Sequence, residues 1–153
     1  MAGSALDTVP ADDTSARLVD QLLADQWITS PAVRAAFHRV PRHLFAADGI
    51  SLDVAYANDV IITSRGPDGR ATSSISEPCF KPPCCTAAHL QLGARVLEVG
   101  SGGYNAALIA DIFGPGGTVD IDAAVIDRAR TTLDRAGHRQ VTSRMVYAVM
   151  RRR

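Results

Sequence analysis

The sequence predicts an α/β fold organised around one βαβ unit, and three observations support this. A short, mostly apolar run at 96–99 is typical of a parallel strand that is covered on both faces. After a glycine-rich turn, the stretch 104–113 is rich in alanine and leucine and has no proline, which predicts a helix. The next strand is predicted at 119–122, and Asp120 follows the turn by roughly 20 residues, the spacing of the carboxylate that accepts hydrogen bonds from ribose in nucleotide-binding βαβ units.

The turn between the first strand and its helix contains Gly100, Gly102 and Gly103, so a ligand can approach its backbone closely. A helix that begins directly after such a turn directs free N–H groups at whatever lies above it. Strand, turn, helix and carboxylate agree, which favours a nucleotide-type ligand. The alternative is a tight structural turn without a ligand.

Two helices and a hairpin are predicted before this unit. Leucine and valine recur at helical spacing over 14–26, with Thr14 or Asp13 as a cap, and a second helix is predicted from Pro31 to Val40. The β-branched run 59–63 and the stretch 71–75 flank a Gly-Pro-Asp-Gly turn, which predicts a β-hairpin.

The remaining segments complete the predicted organisation. A short helix is predicted at 86–92, a helix at 123–136 and a third parallel strand at 141–150. Residues 1–13 are small and acidic, without the pattern of a signal peptide, and are expected to be a disordered lead-in. We therefore expect one domain over 14–153. Its part 14–92 carries the N-terminal helices and hairpin, and its part 93–153 carries the βαβ unit.

Composition excludes several classes of protein. The 153 residues include sixteen basic and sixteen acidic residues, so nothing indicates a nucleic-acid partner, and no apolar run is long enough to span a membrane. Cys79, Cys84 and Cys85 do not form a disulfide framework, and a cytoplasmic location is expected. Cys84, Cys85 and His89 lack the spacing of a zinc site, so no metal is expected.

Several stretches together resemble the protein-L-isoaspartate O-methyltransferase family of S-adenosylmethionine-dependent enzymes. They occur in the family's order. They are Val-Pro-Arg-His-Leu-Phe at 40–45, Ala-Tyr-Ala-Asn-Asp at 55–59, Ser-Ile-Ser-Glu-Pro at 74–78, the glycine turn within 96–110 and the acidic strand end at 119–122. The resemblance implies a Rossmann-like S-adenosylmethionine methyltransferase sheet, incomplete here, with N-terminal helices and a β-hairpin.

The resemblance also implies an activity, which is methyl transfer from S-adenosylmethionine to the carboxylate of isoaspartyl residues in damaged proteins or peptides. Ser76 matches the family's hydroxyl residue that contacts this carboxylate. A hydroxyl can orient an anionic nucleophile without adding a competing charge. The alternative for Ser76 is an ordinary turn or cap serine.

Residues expected to bind the cofactor follow from the same match. They are Glu98, Gly100, Ser101, Gly102, Gly103 and Asp120. Glu98 would support the turn or reach the cofactor, and its alternative is an ordinary charge at a strand end. Asp122 is expected to cap the next helix. His43 is expected to serve local packing or capping, and His138 is expected to be solvated.

This sequence departs from the family pattern in ways that leave other functions open. The glycine turn is one residue short, two prolines follow at 82–83, and only three strands are predicted for the parallel sheet. Helices on such a half-sheet leave an apolar edge and face open, which suggests self-association. The alternatives are a truncated, non-catalytic remnant of the same family and, less favoured, a dinucleotide-binding fragment of a dehydrogenase.

Overall fold

The structure, a computed structural model, describes residues 11–80, 82, 92–100 and 102–146. Its elements are, in chain order, α1 (Ala11–Ala24), α2 (Pro31–Arg39), a 3₁₀ turn (Arg42–Phe45), α3 (Leu52–Ala55), β1 (Ile61–Arg65), β2 (Ala71–Ile75), a second 3₁₀ turn (Pro78–Phe80), β3 (Leu97–Val99), α4 (Tyr104–Phe113), β4 (Gly117–Asp120), α5 (Ala123–Arg135) and β5 (Thr142–Met145).

The described strands form two sheets. β1 and β2 pair antiparallel as the predicted hairpin, with Ile61 opposite Ile75. β3, β4 and β5 form a parallel sheet in that order. Gly117 lies opposite Leu97 on one side and opposite Thr142 on the other. This is a βαβαβ arrangement, and its carboxyl-terminal strand ends lie along one edge, where ligands bind in open α/β sheets.

The N-terminal helices pack against the helix that follows the glycine turn. Tyr104, the first residue of α4, is buried, and its ring lies 5.7 Å from the ring of Phe45 and 6.5 Å from that of Phe37, measured between centroids. Arg39 of α2 donates hydrogen bonds to both carboxylate oxygens of Asp111 in α4. Phe37 and Arg39 of α2, together with Phe45 of the first 3₁₀ turn, thus fix α4 and with it the end of the glycine turn.

Several predicted boundaries shift in the structure. α1 begins at Ala11, so residues 11–13 form its first turn instead of belonging to a lead-in, and Thr14 lies inside the helix instead of capping it. β1 begins at Ile61, two residues later than predicted, since the carbonyl of Asp59 accepts a hydrogen bond from Arg42 instead of joining the ladder. The prediction for α4 is confirmed at both ends.

In the second half of the sheet, the bounds of the strands differ from the predicted ones. β4 ends at Asp120 instead of continuing to residue 122, because Asp122 caps α5, where its side chain accepts from the Ala124 amide at 2.8 Å. Residues 147–150 of the predicted third strand lie outside the described residues, as does the predicted helix at 86–92 apart from Leu92, which lies in a turn.

One prediction about the first parallel strand is wrong. Leu97 and Val99 are 63% and 79% exposed, so β3 is not covered on both faces. Successive right-handed crossovers in one direction place α4 and α5 on the same side of the sheet. Glu98 is directed to that side, while its two neighbours point away from it. The expectation that a half-sheet exposes apolar side chains is confirmed at these two positions.

Candidate functional site

The glycine turn adopts a backbone that only glycine accepts readily. Gly100 and Gly103 have φ values of +92° and +83°, in the left-handed region. A Cβ at Gly103 would also lie 3.2 Å from Phe45 and 3.3 Å from the Thr132 hydroxyl. Gly103 is therefore a position where packing against Phe45 and Thr132 favours glycine, directly before α4 begins at Tyr104.

Glu98 lies beneath this turn and uses both of its carboxylate oxygens. Oε1 accepts from the Asn105 side-chain amide at 2.9 Å, and Oε2 accepts from the Thr118 hydroxyl at 2.7 Å. These bonds connect β3 to the first turn of α4 and to β4. The geometry favours the supporting role over the alternative of an ordinary charge at a strand end.

A cavity of about 260 Å³ opens at the carboxyl ends of β3 and β4. Gly100, Gly102 and Asp120 line it, so the structure brings together three of the six residues predicted for the cofactor. Asp120 Oδ1 also accepts from the Asp122 amide at 3.0 Å, which sets the direction of the carboxylate. Ser101, a fourth predicted residue, lies outside the described residues.

Strand β2 of the hairpin forms the opposite wall of this cavity, which the sequence did not indicate. Its residues 71–74 line the cavity. The wall is close to the glycine turn, since a Cβ at Gly102 would lie 3.5 Å from the Ser74 carbonyl oxygen. The cavity is slightly smaller than the roughly 300–1,000 Å³ of typical small-molecule sites. A Cβ at position 102 would thus make ordinary van der Waals contact with the hairpin, so the hairpin lies directly against the turn.

Ser76 lies next to the cavity, and not among the residues that line it. It follows the end of β2, two residues beyond Ser74, which corresponds to about 7 Å along an extended chain. It is exposed, between the buried residues Ile75 and Pro78. The structure therefore places the predicted substrate residue in an exposed position near the predicted cofactor site.

Arg42 is the residue that sequence reasoning missed. It has no exposed surface and donates to the carbonyl oxygens of Ala55 at 2.8 Å, Asp59 at 2.9 Å and Ser76 at 3.2 Å. Its guanidinium carbon lies 5.1 Å from the ring centroid of Tyr104, a cation–π contact. Burial lowers the pKa of Arg42, but a guanidinium stays protonated in proteins. The signal in the sequence was its place in the stretch Val-Pro-Arg-His-Leu-Phe at 40–45, which resembles the family pattern.

Two histidines take up local packing positions. The Nδ1 atom of His43 lies 2.8 Å from the Tyr56 hydroxyl, which confirms the packing role expected for it. His138 was expected to be solvated, which is wrong, since it is only 8% exposed at the end of α5. Its backbone amide donates to the Leu133 carbonyl and holds it there. Burial lowers the pKa of both imidazoles.

A larger cavity, of about 720 Å³, lies elsewhere on the same sheet. It is lined by Gly93, Leu97, Gly117 and Thr142, among others, and so lies at the amino ends of the parallel strands. It contains none of the predicted site residues. Since open α/β sheets bind ligands at the carboxyl ends of their strands, we place the functional site at the smaller cavity.

The described part of the chain offers neither a cluster of metal ligands nor a helix that could span a membrane. None of its histidine, cysteine and acidic side chains form a group of three that would hold a metal ion. The cysteine pair 84–85 and His89 lie outside it. Within the same residues, every helix is too short or too polar to cross a bilayer.

Comparisons with known proteins agree with this geometry. The sequence profile of protein-L-isoaspartate(D-aspartate) O-methyltransferase matches residues 13–147. The chain belongs to the protein-L-isoaspartate O-methyltransferase family. It is 34% identical to the Picosynechococcus member over 135 residues and 35% identical to the Methanothermobacter thermautotrophicus member over 134 residues. These matches cover 86% and 85% of this chain, but the chain spans only 58% of each relative.

Solved structures show the same fold. A protein-L-isoaspartate O-methyltransferase superposes with a TM-score of 0.76 at 24% identity, and the match covers 86% of this chain and 41% of that one. A Plasmodium falciparum structure from the same family, in complex with S-adenosyl-L-homocysteine, superposes with a TM-score of 0.68 at 16% identity and covers 83% of this chain and 60% of that one. The prediction of a partial Rossmann-like methyltransferase fold is confirmed.

Proposed function

We propose that this chain binds S-adenosylmethionine and transfers its methyl group to the carboxylate of isoaspartyl residues in damaged proteins or peptides. The observation that carries this proposal is the cavity shared by Gly100, Gly102 and Asp120 at the carboxyl ends of β3 and β4. Family membership supports the chemistry, since the relatives are protein-L-isoaspartate O-methyltransferases. It also favours methyl transfer over the dehydrogenase alternative.

The residues around the cavity fit the cofactor. The carboxylate of Asp120 suits ribose hydroxyls, which donate, and the backbone of Gly100 and Gly102 permits close approach of the amino-acid part. Ser101, between them, is proposed to bind with them. Glu98 and Gly103 contribute indirectly, because they hold the turn and the start of α4 in place.

The reaction requires little acid–base catalysis from the protein. S-adenosylmethionine supplies a methyl group that is already activated by a positively charged sulfur. A carboxylate oxygen forms the new bond to the methyl carbon, the carbon–sulfur bond breaks, and no proton is transferred. The protein contributes position and exclusion of water. Ser76, beside the cavity, would donate a hydrogen bond that orients the substrate carboxylate.

Binding of the cofactor is tested by calorimetric titration with S-adenosylmethionine, S-adenosylhomocysteine and NAD. We expect the first two to bind and NAD not to bind. Asp120→Asn is expected to weaken binding at least 10-fold, about 1.4 kcal/mol, since it removes a charge-assisted hydrogen bond. Asp122→Asn is the matched control, because this carboxylate caps α5. Equal losses in both variants would contradict the assignment of Asp120.

Methyl transfer is tested with a pair of peptides that contain either isoaspartate or aspartate at one position. We expect transfer to the isoaspartyl peptide alone. Ser76→Ala is expected to lower kcat/KM at least 10-fold without weakening cofactor binding, while Ser76→Thr retains the hydroxyl and most of the activity. Equal activity of the alanine variant and the wild type would leave Ser76 as an ordinary turn residue.

The second candidate function is that of a non-catalytic remnant. The observation that favours it is the glycine turn, which is one residue shorter than the family pattern. It predicts that S-adenosylmethionine does not bind in the calorimetric titration.

Other features of the chain stay predictions. The proposed partner is a protein or peptide with isoaspartate, and neither nucleic acid nor a membrane is expected to bind. The division into 14–92 and 93–153 is proposed to hold, with the lead-in now ending before Ala11. A reducing, cytoplasmic location is proposed on the cysteine pattern, and the described Cys79 is a buried free thiol. Cell fractionation with a tagged chain tests the location.

A further inference from the structure

Arg42 is an unusual residue for a protein interior because it carries a charge and has no exposed surface. None of the ion pairs of the described residues includes it. Its partners are three backbone carbonyls and an aromatic ring. Buried charges are rare because burial removes their hydration. Hydrogen bonds from the guanidinium to the protein must therefore replace the lost bonds to water.

The three carbonyls belong to three segments, two of which flank the paired strands of the hairpin. Ala55 ends α3, Asp59 precedes β1, and Ser76 follows β2. A planar guanidinium presents five donors in a fixed fork, so it fixes the relative positions of its acceptors. A lysine ammonium at the same place lacks this fork.

The other contact of Arg42 reaches the cofactor side of the site. Its guanidinium lies over the ring of Tyr104, which directly follows Gly103 at the start of α4. The same side chain thus touches the segment with the proposed substrate residue and the helix that carries the glycine turn.

We propose that Arg42 is a positioning residue that holds the segment around Ser76 against the start of α4. The substrate carboxylate and the methyl donor then meet at a fixed distance. Arg42 acts through Ser76 and Tyr104 and touches neither reactant. This inference rests on the proposed function for its catalytic consequence, but its structural consequence stands apart from any activity.

The structural consequence is tested by amide hydrogen exchange, with Arg42→Lys and Arg42→Gln compared with the wild type. We expect exchange at Cys79 and Phe80 to accelerate at least 10-fold, since both amides are bonded within or next to the held segment. Amides in the middle of α1 report global opening and are used to normalise the rates. Arg17→Gln is the matched control, because Arg17 makes an exposed ion pair with Asp53. Unchanged exchange at Cys79 and Phe80 in both Arg42 variants would overturn the proposal.

The catalytic consequence is tested by a double-mutant cycle on the isoaspartyl peptide. We expect Arg42→Lys to lower kcat/KM about 30-fold while cofactor affinity changes by less than about 3-fold. The double variant with Arg42→Lys and Ser76→Ala should have nearly the same kcat/KM as Ser76→Ala alone. A merely structural role would multiply the two losses, and that result would overturn action through Ser76. Absence of transfer in the wild type would refute the proposed function, while the exchange measurement still decides the role of Arg42.

Discussion

Replacement of Glu98 by alanine is expected to destabilise the junction beneath the glycine turn. The carboxylate accepts from Asn105 at 2.9 Å and from Thr118 at 2.7 Å, so the variant loses two hydrogen bonds to a charged group. Each such bond contributes about 1.5–3 kcal/mol to stability. Water can replace the partner of the half-buried Asn105 but not that of Thr118, which has no exposed surface.

These contributions give an expected loss of about 2–4 kcal/mol in the free energy of unfolding for Glu98→Ala. Glu98→Gln retains one acceptor oxygen, and the Thr118 hydroxyl is able to rotate and accept from the new amide. The expected loss for this variant is about 1 kcal/mol. Urea denaturation followed by circular dichroism measures both values.

A second comparison separates the two roles that the sequence left open for Glu98. Thr118→Val removes the hydroxyl beneath the turn and keeps the branched shape of the side chain. If Glu98 acts through the turn, Thr118→Val and Glu98→Gln should weaken S-adenosylmethionine binding to a similar extent, about 3- to 10-fold. Calorimetric titration measures the affinities.

The outcomes that refute this reasoning are distinct. A loss of unfolding free energy below about 0.5 kcal/mol for Glu98→Ala would show that the two hydrogen bonds contribute little. Weakened binding in Glu98→Gln with unchanged binding in Thr118→Val would show that Glu98 contacts the cofactor directly.

Two further predictions concern pH and association. Burial lowers the pKa of His138 in the folded state. As the pH falls below about 6.5, the unfolded chain therefore binds the proton before the folded chain does. The free energy of unfolding should then fall by up to about 1.4 kcal/mol per pH unit until the pH reaches the folded-state pKa. Urea melts of wild type and His138→Gln at pH 7 and pH 5 check this, and equal pH dependence in both would contradict it. The exposed Leu97 and Val99 predict concentration-dependent self-association in sedimentation velocity, weakened by Val99→Glu; a single monomeric species at all concentrations would rule this out.

Local features of the sequence were enough to predict the elements with strong signals. The helix from Tyr104 to Phe113 is bounded by glycines on both sides, and both ends agree with the prediction. The hairpin follows from β-branched runs on either side of a Gly-Pro-Asp-Gly turn. Boundaries shifted where a side chain took a backbone partner, as Arg42 does at Asp59 and as Asp122 does at the start of α5.

Some site residues could be predicted from the sequence, and others could not. Gly100, Gly102 and Asp120 were predicted because the spacing of turn, helix and strand end places them at one edge of a parallel sheet. The hairpin wall at 71–74 was not predicted, because nothing in its composition shows which surface a hairpin will cover.

By itself, the sequence determined the family, the βαβ unit and the backbone freedom of the glycine turn, because these depend on residue type and on spacing along the chain. Only the tertiary structure decided that Glu98 accepts hydrogen bonds from Asn105 and Thr118, that Arg42 contacts both Ser76 and Tyr104, and that Leu97 faces outward. These outcomes depend on which segments, distant along the chain, come into contact. Hydrogen-bond partners and burial are set by those tertiary contacts and not by residue type alone.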